Sequence, residues 1–230
     1  MLPEVAMRIT LRRALMTAAL LFAIFNLLYF TVLRSWHMRW GARAAELSAT
    51  LPGDRLLPEA PNGATHAITI HALPEKVWPW LMQMGQDRSG FYSYTPLENL
   101  VGCQMPRVER IVPEWPARQV GETVWFATPK HYHGQGKMIA AVVQPRRAFV
   151  MVSPSDWQRL RGGQPGQEGL WEFALAPAAP GQTRLIARVR GTPNKSFAGH
   201  LADLFFWEPA HFFMERKMLL TIKRLAESSR

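Results

Sequence analysis

Near the start of the chain, twenty consecutive residues, 14–33 (ALMTAALLFAIFNLLYFTVL), carry no charge. As an α-helix with a rise of about 1.5 Å per residue, this run would be about 30 Å long, which matches the hydrocarbon core of a bilayer. A helix also satisfies its backbone polar groups internally, as a lipid environment requires. Arginines precede the run, and arginine, tryptophan and histidine follow it, as is common at membrane interfaces. The run therefore predicts a transmembrane helix at residues 14–34, preceded by a basic tail at residues 1–13.

A cleaved signal peptide is the alternative to a retained anchor. Its apolar region would span about 7–15 residues and end at a small-residue cleavage site. Only Ala42-Arg43-Ala44 faintly resembles such a site, so we favour a single-pass anchor. Three arginines lie on each side of the span, so the positive-inside rule does not fix its orientation. The basic charge of the remaining chain favours a cytoplasmic location for the soluble domain.

Charge and cysteine content narrow the function classes. The net charge of +10 favours contact with anionic lipid headgroups. The basic residues are dispersed and no nucleic-acid-binding motif accompanies them, so we expect no nucleic-acid partner. The single cysteine, Cys103, excludes an intramolecular disulfide and a cysteine-rich metal site. The sequence holds no GxSxG elbow, P-loop or dinucleotide fingerprint, so no covalent enzyme and no cofactor is predicted.

Two segments with different sequence patterns follow the apolar run. Residues 35–63 show no sustained period and predict a juxtamembrane linker, whereas residues 64–230 predict one soluble domain. Residues 65–71 (THAITIH) alternate, with Ile68 and Ile70 on one face, as a half-buried strand does. His66 and His71 are interpreted as surface residues at the ends of this strand. Two short helices are predicted next, at residues 72–84 and 91–101.

The second half of the domain predicts β-structure followed by a long helix. Strands are predicted at 108–112, 122–127, 137–143, 148–152, 170–176 and 183–189, with a loop at 153–169. In the last strand, Arg184, Arg188 and Arg190 share one face, which predicts that this face is wet. A helix over residues 197–226 is expected to be interrupted or bent at Pro209. Antiparallel strands with helices at both ends predict an α+β domain.

Three stretches carry a resemblance to a known family. They are residues 68–102 (ITIHALPEKVWPWLMQMGQDRSGFYSYTPLENLVG), 110–122 (RIVPEWPARQVGE) and 208–227 (EPAHFFMERKMLLTIKRLAE). Over residues 64–227 the chain resembles the START and polyketide-cyclase (SRPBCC) superfamily, specifically bacterial members that carry an N-terminal membrane helix. The resemblance implies a helix-grip fold, in which a curved antiparallel sheet wraps a long C-terminal helix beside a cavity. It implies a hydrophobic small molecule or lipid as ligand, but no particular reaction.

The C-terminal helix carries the first candidate site residues. Glu208, His211 and Glu215 stand at i, i+3 and i+7, so they share a face within the apolar arc of the helix. Buried charged groups need partners or shifted pKa values. A structural network, a polar group that orients a ligand, and acid–base or metal chemistry are all compatible with this pattern. Glu-x-x-His occurs in di-iron bundles, but these need a second copy that this chain lacks, so no metal is predicted.

The remaining candidates are aromatic, acidic or flexible apolar residues that could line the cavity. They are Tyr92, Tyr94, Glu98, Trp125, Trp171 and Met218. Their alternative interpretation is helix surface or ordinary core packing. No catalytic residue is assigned from the sequence.

Three functions remain open at this point. The first is a membrane-anchored domain that binds a hydrophobic small molecule or lipid without converting it. The second is a polyketide cyclase or aromatase-like enzyme that uses polar residues of the cavity. The third is a structural or partner-binding protein whose cavity is filled by its own side chains.

Overall fold

The computed structural model describes the backbone of residues 2–228 and the side chains of residues 12–228. The chain divides into two compact units, Met1–Met38 and Arg39–Arg230. The first unit is helical: α1 (Leu2–Leu28) continues through a π-helical turn into α2 (Arg34–Met38). Its stretch Arg12–Met38 is long and apolar enough to cross a membrane, by length and composition alone. A signal sequence passes the same test, so the anchor stays a prediction.

The second unit is built on a six-stranded antiparallel sheet. Its strands are β1 (Asn62–Ile70), β2 (Thr123–Trp125), β3 (Lys137–Gln144), β4 (Ala148–Val152), β5 (Gly169–Pro177) and β6 (Thr183–Gly191). The strand order is β1-β6-β5-β4-β3-β2, so the first and last strands in sequence are neighbours. The helices of this unit are α3 (Ala44–Ser48), α4 (Pro74–Met82), α5 (Thr95–Leu100), α6 (Pro154–Arg161), α7 (Phe197–Ala202) and α8 (Glu208–Ser228).

The long C-terminal helix lies on one face of the sheet, which we call the inner face. Helix α8 contacts β1 and α4, and it buries Met218, Leu219 and Ile222 against the sheet. Phe149 and Phe173 face them from β4 and β5 with no exposed surface. This single layer of helix on an antiparallel sheet is the α+β helix-grip architecture that the sequence predicts.

The regular α-helix near the C-terminus is interrupted just before Pro209, not at it. A π-helical turn, Asp203–Trp207, joins α7 to α8, and Pro209 is the second residue of α8. Proline is tolerated in the first turn of a helix, but its ring clashes with the carbonyl four residues earlier. The wider π turn therefore lies where the regular hydrogen bonds before Pro209 cannot form.

Two local predictions differ from the structure. Residues 108–112 do not form a strand, because the N–H of Val112 donates to Gln83 Oε1 (2.7 Å) and not to a neighbouring strand. The predicted loop 153–169 contains α6, which starts where the Ser153 hydroxyl accepts from the N–H of Asp156 (3.1 Å). Asp156 in turn accepts the N–H groups of residues 167–169 and closes the loop. Serine followed by proline is a standard helix start, so the sequence carried this signal.

We call residues 39–61 the strap. Its Trp40 packs on His66 and Phe212 beside the inner face, and the residues that follow cover the outer face of the sheet. The strap lies entirely within residues 35–63, which the sequence predicts as juxtamembrane linker. Leu57 and Ala60 pack on Val150 and Val152, and Leu51 packs on Ile186. The strap therefore gives the sheet a second apolar layer, and Ala148–Val152 is buried along its whole length.

Arginines of β6 hold the strap in place, so the prediction that this face of β6 is wet was wrong. Arg184 pairs with Glu46 (2.6 Å), and Arg188 and Arg190 both pair with Asp54 (2.8 and 3.0 Å). Arg188 is 1% exposed. The same guanidinium groups donate hydrogen bonds to backbone carbonyls of the strap, those of Glu46, Ala49 and Ala60.

Gly41 marks the closest approach of the strap to the sheet. Its φ is +69°, and a Cβ atom there would lie 2.2 Å from the carbonyl oxygen of Ala67 on β1. Only glycine combines this conformation with this approach. The strap therefore requires glycine at the point where it crosses β1.

Candidate functional site

A cavity of about 660 Å³ lies between α8 and the inner face of the sheet. Its outer end is formed by partly or fully exposed residues, including Glu168, Gly191 and Trp207. Its inner end is formed by buried residues, including Met218 and Glu215, which are 1% and 2% exposed. The cavity therefore leads from the protein surface to the core, and its volume lies within the usual range for small-molecule sites.

Most of the cavity wall is apolar. Phe91, Phe126 and Trp171 form an aromatic cluster with ring centroids 4.6 to 5.8 Å apart. Methionines complete the apolar wall: Met105, Met138, Met214 and Met218. Flexible thioether side chains suit the packing of an irregular apolar ligand.

One polar cluster interrupts this wall. Glu215 on α8 accepts from Trp171 Nε1 (2.6 Å) at Oε1 and is hydrogen-bonded to His66 Nδ1 at Oε2. His211, one turn earlier on α8, places Nε2 3.5 Å from Oε1 of Glu215. His66 lies at the centre of β1 with no exposed surface, whereas the His211 side chain is 33% exposed and lines the cavity. A buried carboxylate thus lies between two imidazoles, only one of which faces the cavity.

The environment of Glu215 keeps it ionised. Burial alone would raise the pKa of Glu215, but His211 and His66 beside it hold that pKa well below its usual range. Burial also opposes a charge on His211, yet the Glu215 carboxylate raises the pKa of His211 above its ordinary value. Since an ionised carboxylate only accepts hydrogen bonds, His66 Nδ1 carries the proton of the bond it makes to Glu215.

Glu98 brings a second carboxyl group to the cavity wall. It lies on α5, and its Oε2 is buried without a hydrogen-bond partner among the described residues. Burial raises the pKa of Glu98 to about 7. Both the protonated and the ionised form of this group are therefore accessible near neutral pH, and it can donate or accept a hydrogen bond to a ligand.

The structure brings five of the nine sequence candidates together in the cavity wall: Glu98, Trp171, His211, Glu215 and Met218. The other four candidates lie outside this wall, within the described part of the chain. Tyr92 is buried and donates to the carbonyl of Trp80 (3.1 Å), and Tyr94 stacks on Phe213 with 4.4 Å between ring centroids. Trp125 lies under the ammonium group of Lys137 (5.2 Å), and Glu208 begins α8.

Sequence reasoning missed His66, which it placed at the surface. His66, Ile68 and Ile70 alternate along β1, so they share one face of the strand. Because Ile68 and Ile70 were predicted to face the core, His66 should have been predicted to face it too. This spacing is the sequence signal that would have identified His66 as buried. The contact of His66 with Glu215, 149 positions away, could not be predicted from spacing.

The strand order, the two short helices after β1 and the C-terminal helix over a cavity define a helix-grip fold. Solved structures similar to the chain include a polyketide_cyc-like protein of Corynebacterium glutamicum, at 16% identity and a TM-score of 0.43. That match covers 74% of this chain and 94% of the other. The Aha1 dimer of Colwellia psychrerythraea has 17% identity and a TM-score of 0.39, with 72% and 96% covered. CalU16 of Micromonospora echinospora has 16% identity and a TM-score of 0.34, with 79% and 90% covered.

No family model and no curated protein matches the sequence. The structural similarities concern architecture, since all three lie below 20% identity and a TM-score of 0.5. What the chain binds therefore has to be argued from its own residues.

Proposed function

We propose that this protein is a membrane-anchored binding protein for a hydrophobic small molecule or lipid. The observation that carries the proposal is the cavity of about 660 Å³, with an apolar wall and one polar cluster at its inner end. Such a cavity takes up an apolar ligand by removing its surface from water, and a few polar groups fix its orientation. His211 and Glu98 are the groups that would meet a polar end of the ligand.

The anchor would supply the ligand. Met38, the last residue of the first unit, is followed directly by Arg39 of the second. If Arg12–Met38 crosses a bilayer, this connection holds the cavity at high effective concentration near lipid-soluble molecules. The net charge of +10 favours the same location by attraction to anionic headgroups.

Introducing tryptophan at Ala210 is expected to reduce bound ligand at least tenfold. Ala210 lines the cavity on α8, so an indole there would occupy space that the ligand needs. The full chain would be extracted from its host membrane in detergent-free lipid nanodiscs. Small molecules released from it would then be quantified against protein by mass spectrometry. Ser228→Trp is the matched control, because it adds the same side chain at the exposed end of the same helix.

The proposal fails if wild type, Ala210→Trp and Ser228→Trp release the same molecules in the same amounts. That result would favour a partner-binding role with a cavity filled by the protein's own side chains. If the ligand lost from Ala210→Trp is instead altered chemically on incubation with wild type, the cyclase-like alternative is favoured.

Exposed apolar side chains next to the cavity entrance support loading from a bilayer. Five of them, which we call the apolar rim, are Phe197, Leu201, Phe205, Phe206 and Trp207, between 38% and 80% exposed. Trp207 also lines the cavity. Five exposed large apolar side chains within residues 197–207 are unusual on a soluble surface, and they fit the headgroup region of a membrane.

A fluorophore at position 206 is expected to report insertion of the apolar rim into lipid. Phe206→Cys in a Cys103→Ser background would be labelled with NBD, and the full chain reconstituted into phosphatidylcholine–phosphatidylglycerol vesicles. We expect blue-shifted emission that lipid-borne nitroxides quench. Leu73→Cys is the control, since Leu73 is 53% exposed but follows the end of β1 opposite the cavity entrance. Equal emission and quenching at the two positions would contradict insertion of the apolar rim.

A further inference from the structure

We infer that His66, His211 and Glu215 form a binding site for a divalent transition-metal ion at the inner end of the cavity. One nitrogen of each histidine and one carboxylate oxygen of Glu215 lie within 4.8 Å of one another. Two imidazoles and one carboxylate are the protein ligands of many catalytic zinc sites and of non-haem iron(II) sites. The three side chains come from two elements, since His66 lies on β1 and the other two on α8.

The distances suit a small ion. Zinc–nitrogen and zinc–oxygen bonds are about 2.0–2.2 Å long, so ligand atoms around a tetrahedral ion lie about 3.4 Å apart. His211 Nε2 and Glu215 Oε1 are already 3.5 Å apart. His66 Nδ1 is hydrogen-bonded to the other oxygen of Glu215, so an entering ion would replace this hydrogen bond. His66 would then bind the ion as its other neutral tautomer, with the ring proton moved from Nδ1 to Nε2, because a metal-bound nitrogen carries no proton.

Burial favours the ion. Glu215 is 2% exposed, and a buried carboxylate is stable only with a cation or strong hydrogen-bond donors beside it. Trp171 Nε1 donates to Glu215 Oε1 (2.6 Å) and cannot itself bind a metal. Such a donor behind a ligating carboxylate is typical of metal sites, where it fixes the orientation of the ligand.

The site is reached through the cavity. His211 and Glu215 both line the cavity wall, whereas His66 lies behind them. Three protein ligands leave at least one coordination position for water or for an oxygen of a bound molecule. The ion would thus present a Lewis acid to the cavity. This inference goes beyond the proposed function, because metal binding does not require that a hydrophobic ligand be present.

Cobalt(II) binding tests the inference. The full chain, carrying an affinity tag without histidine, would be stripped with a chelator and titrated with Co²⁺. Binding would be followed by the visible d–d absorption of the ion. We expect one Co²⁺ per chain, a band typical of four- or five-coordinate nitrogen–oxygen ligation, and displacement by Zn²⁺.

Two variants and two controls make the test decisive. Glu215→Gln and His211→Gln should each weaken Co²⁺ binding at least tenfold. His211→Gln keeps the test valid if the loss of the buried Glu215 charge prevents folding, because His211 is partly exposed on the cavity wall. His71→Gln and Glu114→Gln, which replace exposed residues of the same types, should bind Co²⁺ as wild type does. Failure of wild type to bind Co²⁺, or equal binding by a folded His211→Gln protein, would overturn the inference. Either result would leave the ligand test at Ala210 unaffected.

Discussion

Replacing Arg188 by methionine is expected to lower the free energy of unfolding by about 3–5 kcal/mol, the usual cost of removing one partner from a buried ion pair. Arg188 is 1% exposed, and its guanidinium donates to Asp54 Oδ2 (2.8 Å) and to the carbonyls of Ala49 (2.8 Å) and Glu46 (2.6 Å). Methionine keeps much of the apolar stem but leaves these strap carbonyls without their donor. Denaturant unfolding of the full chain, followed by tryptophan fluorescence, measures the loss.

Arg146→Met is the control for that measurement. Arg146 pairs with Glu75 (3.2 Å), but both side chains are more than half exposed, so the expected change is within about 0.5 kcal/mol. The strap should also become a better protease substrate in Arg188→Met than in Arg146→Met. If Arg188→Met were as stable as its control, the strap would not depend on these buried bonds.

The second large effect is a pH dependence that originates in Glu172. This residue of β5 has no exposed surface, and it accepts the N–H of Gly53 in the strap (3.1 Å). Burial raises the pKa of Glu172 to about 7, against an ordinary value of 4.5. The folded state therefore holds the proton more tightly than the unfolded state. The resulting stabilisation is complete below pH 4.5, decreases as the pH rises and is lost above about pH 7.

Glu172→Gln is expected to remove this dependence. One pKa unit corresponds to about 1.4 kcal/mol, so Glu172 should make wild type about 2–3 kcal/mol less stable at pH 8 than at pH 5. Glutamine keeps a carbonyl oxygen for the N–H of Gly53 and has no charge to desolvate. Unfolding free energies of both proteins at half-unit steps from pH 5 to 8 give the two slopes. Glu98 contributes a slope of the same sign to both, so only the difference between them is assigned to Glu172. If the free energy of unfolding changed with pH equally in wild type and Glu172→Gln, Glu172 would be ionised throughout this range.

Local sequence signals predicted most of the sheet. The strands predicted at 137–143 and 148–152 pair as the β3–β4 hairpin, and those predicted at 170–176 and 183–189 pair as the β5–β6 hairpin. Both are present, with ends within two residues of the prediction. The helix-grip class was confirmed, since the order of elements in sequence is itself a strong restriction on topology.

Long-range partners could not be predicted in the same way. The strap has no periodic pattern, because it is held by guanidinium–carbonyl bonds and isolated apolar contacts rather than by a regular helix or strand. The sequence feature that indicates a covering segment lies on β6, where three arginines share one face of the strand. The candidate site shows the same difference between local and long-range signals. Glu215 and His211 were found from helical spacing, whereas the contact of His66 with Glu215 depends on the packing of α8 against β1.

The strap also affects how the chain can fold during synthesis. Glu46, Gly53 and Gly41 emerge early, but their partners Arg184 and Glu172 follow 119 to 143 residues later. Strand β1 likewise cannot pair until β6 has been synthesised, because β6 is its only neighbour in the described sheet. Contacts of such high sequence separation form slowly, and apolar surface is exposed until they do. The strap and β1 therefore cannot acquire their native packing as they leave the ribosome, and they must wait until β5 and β6 have been synthesised.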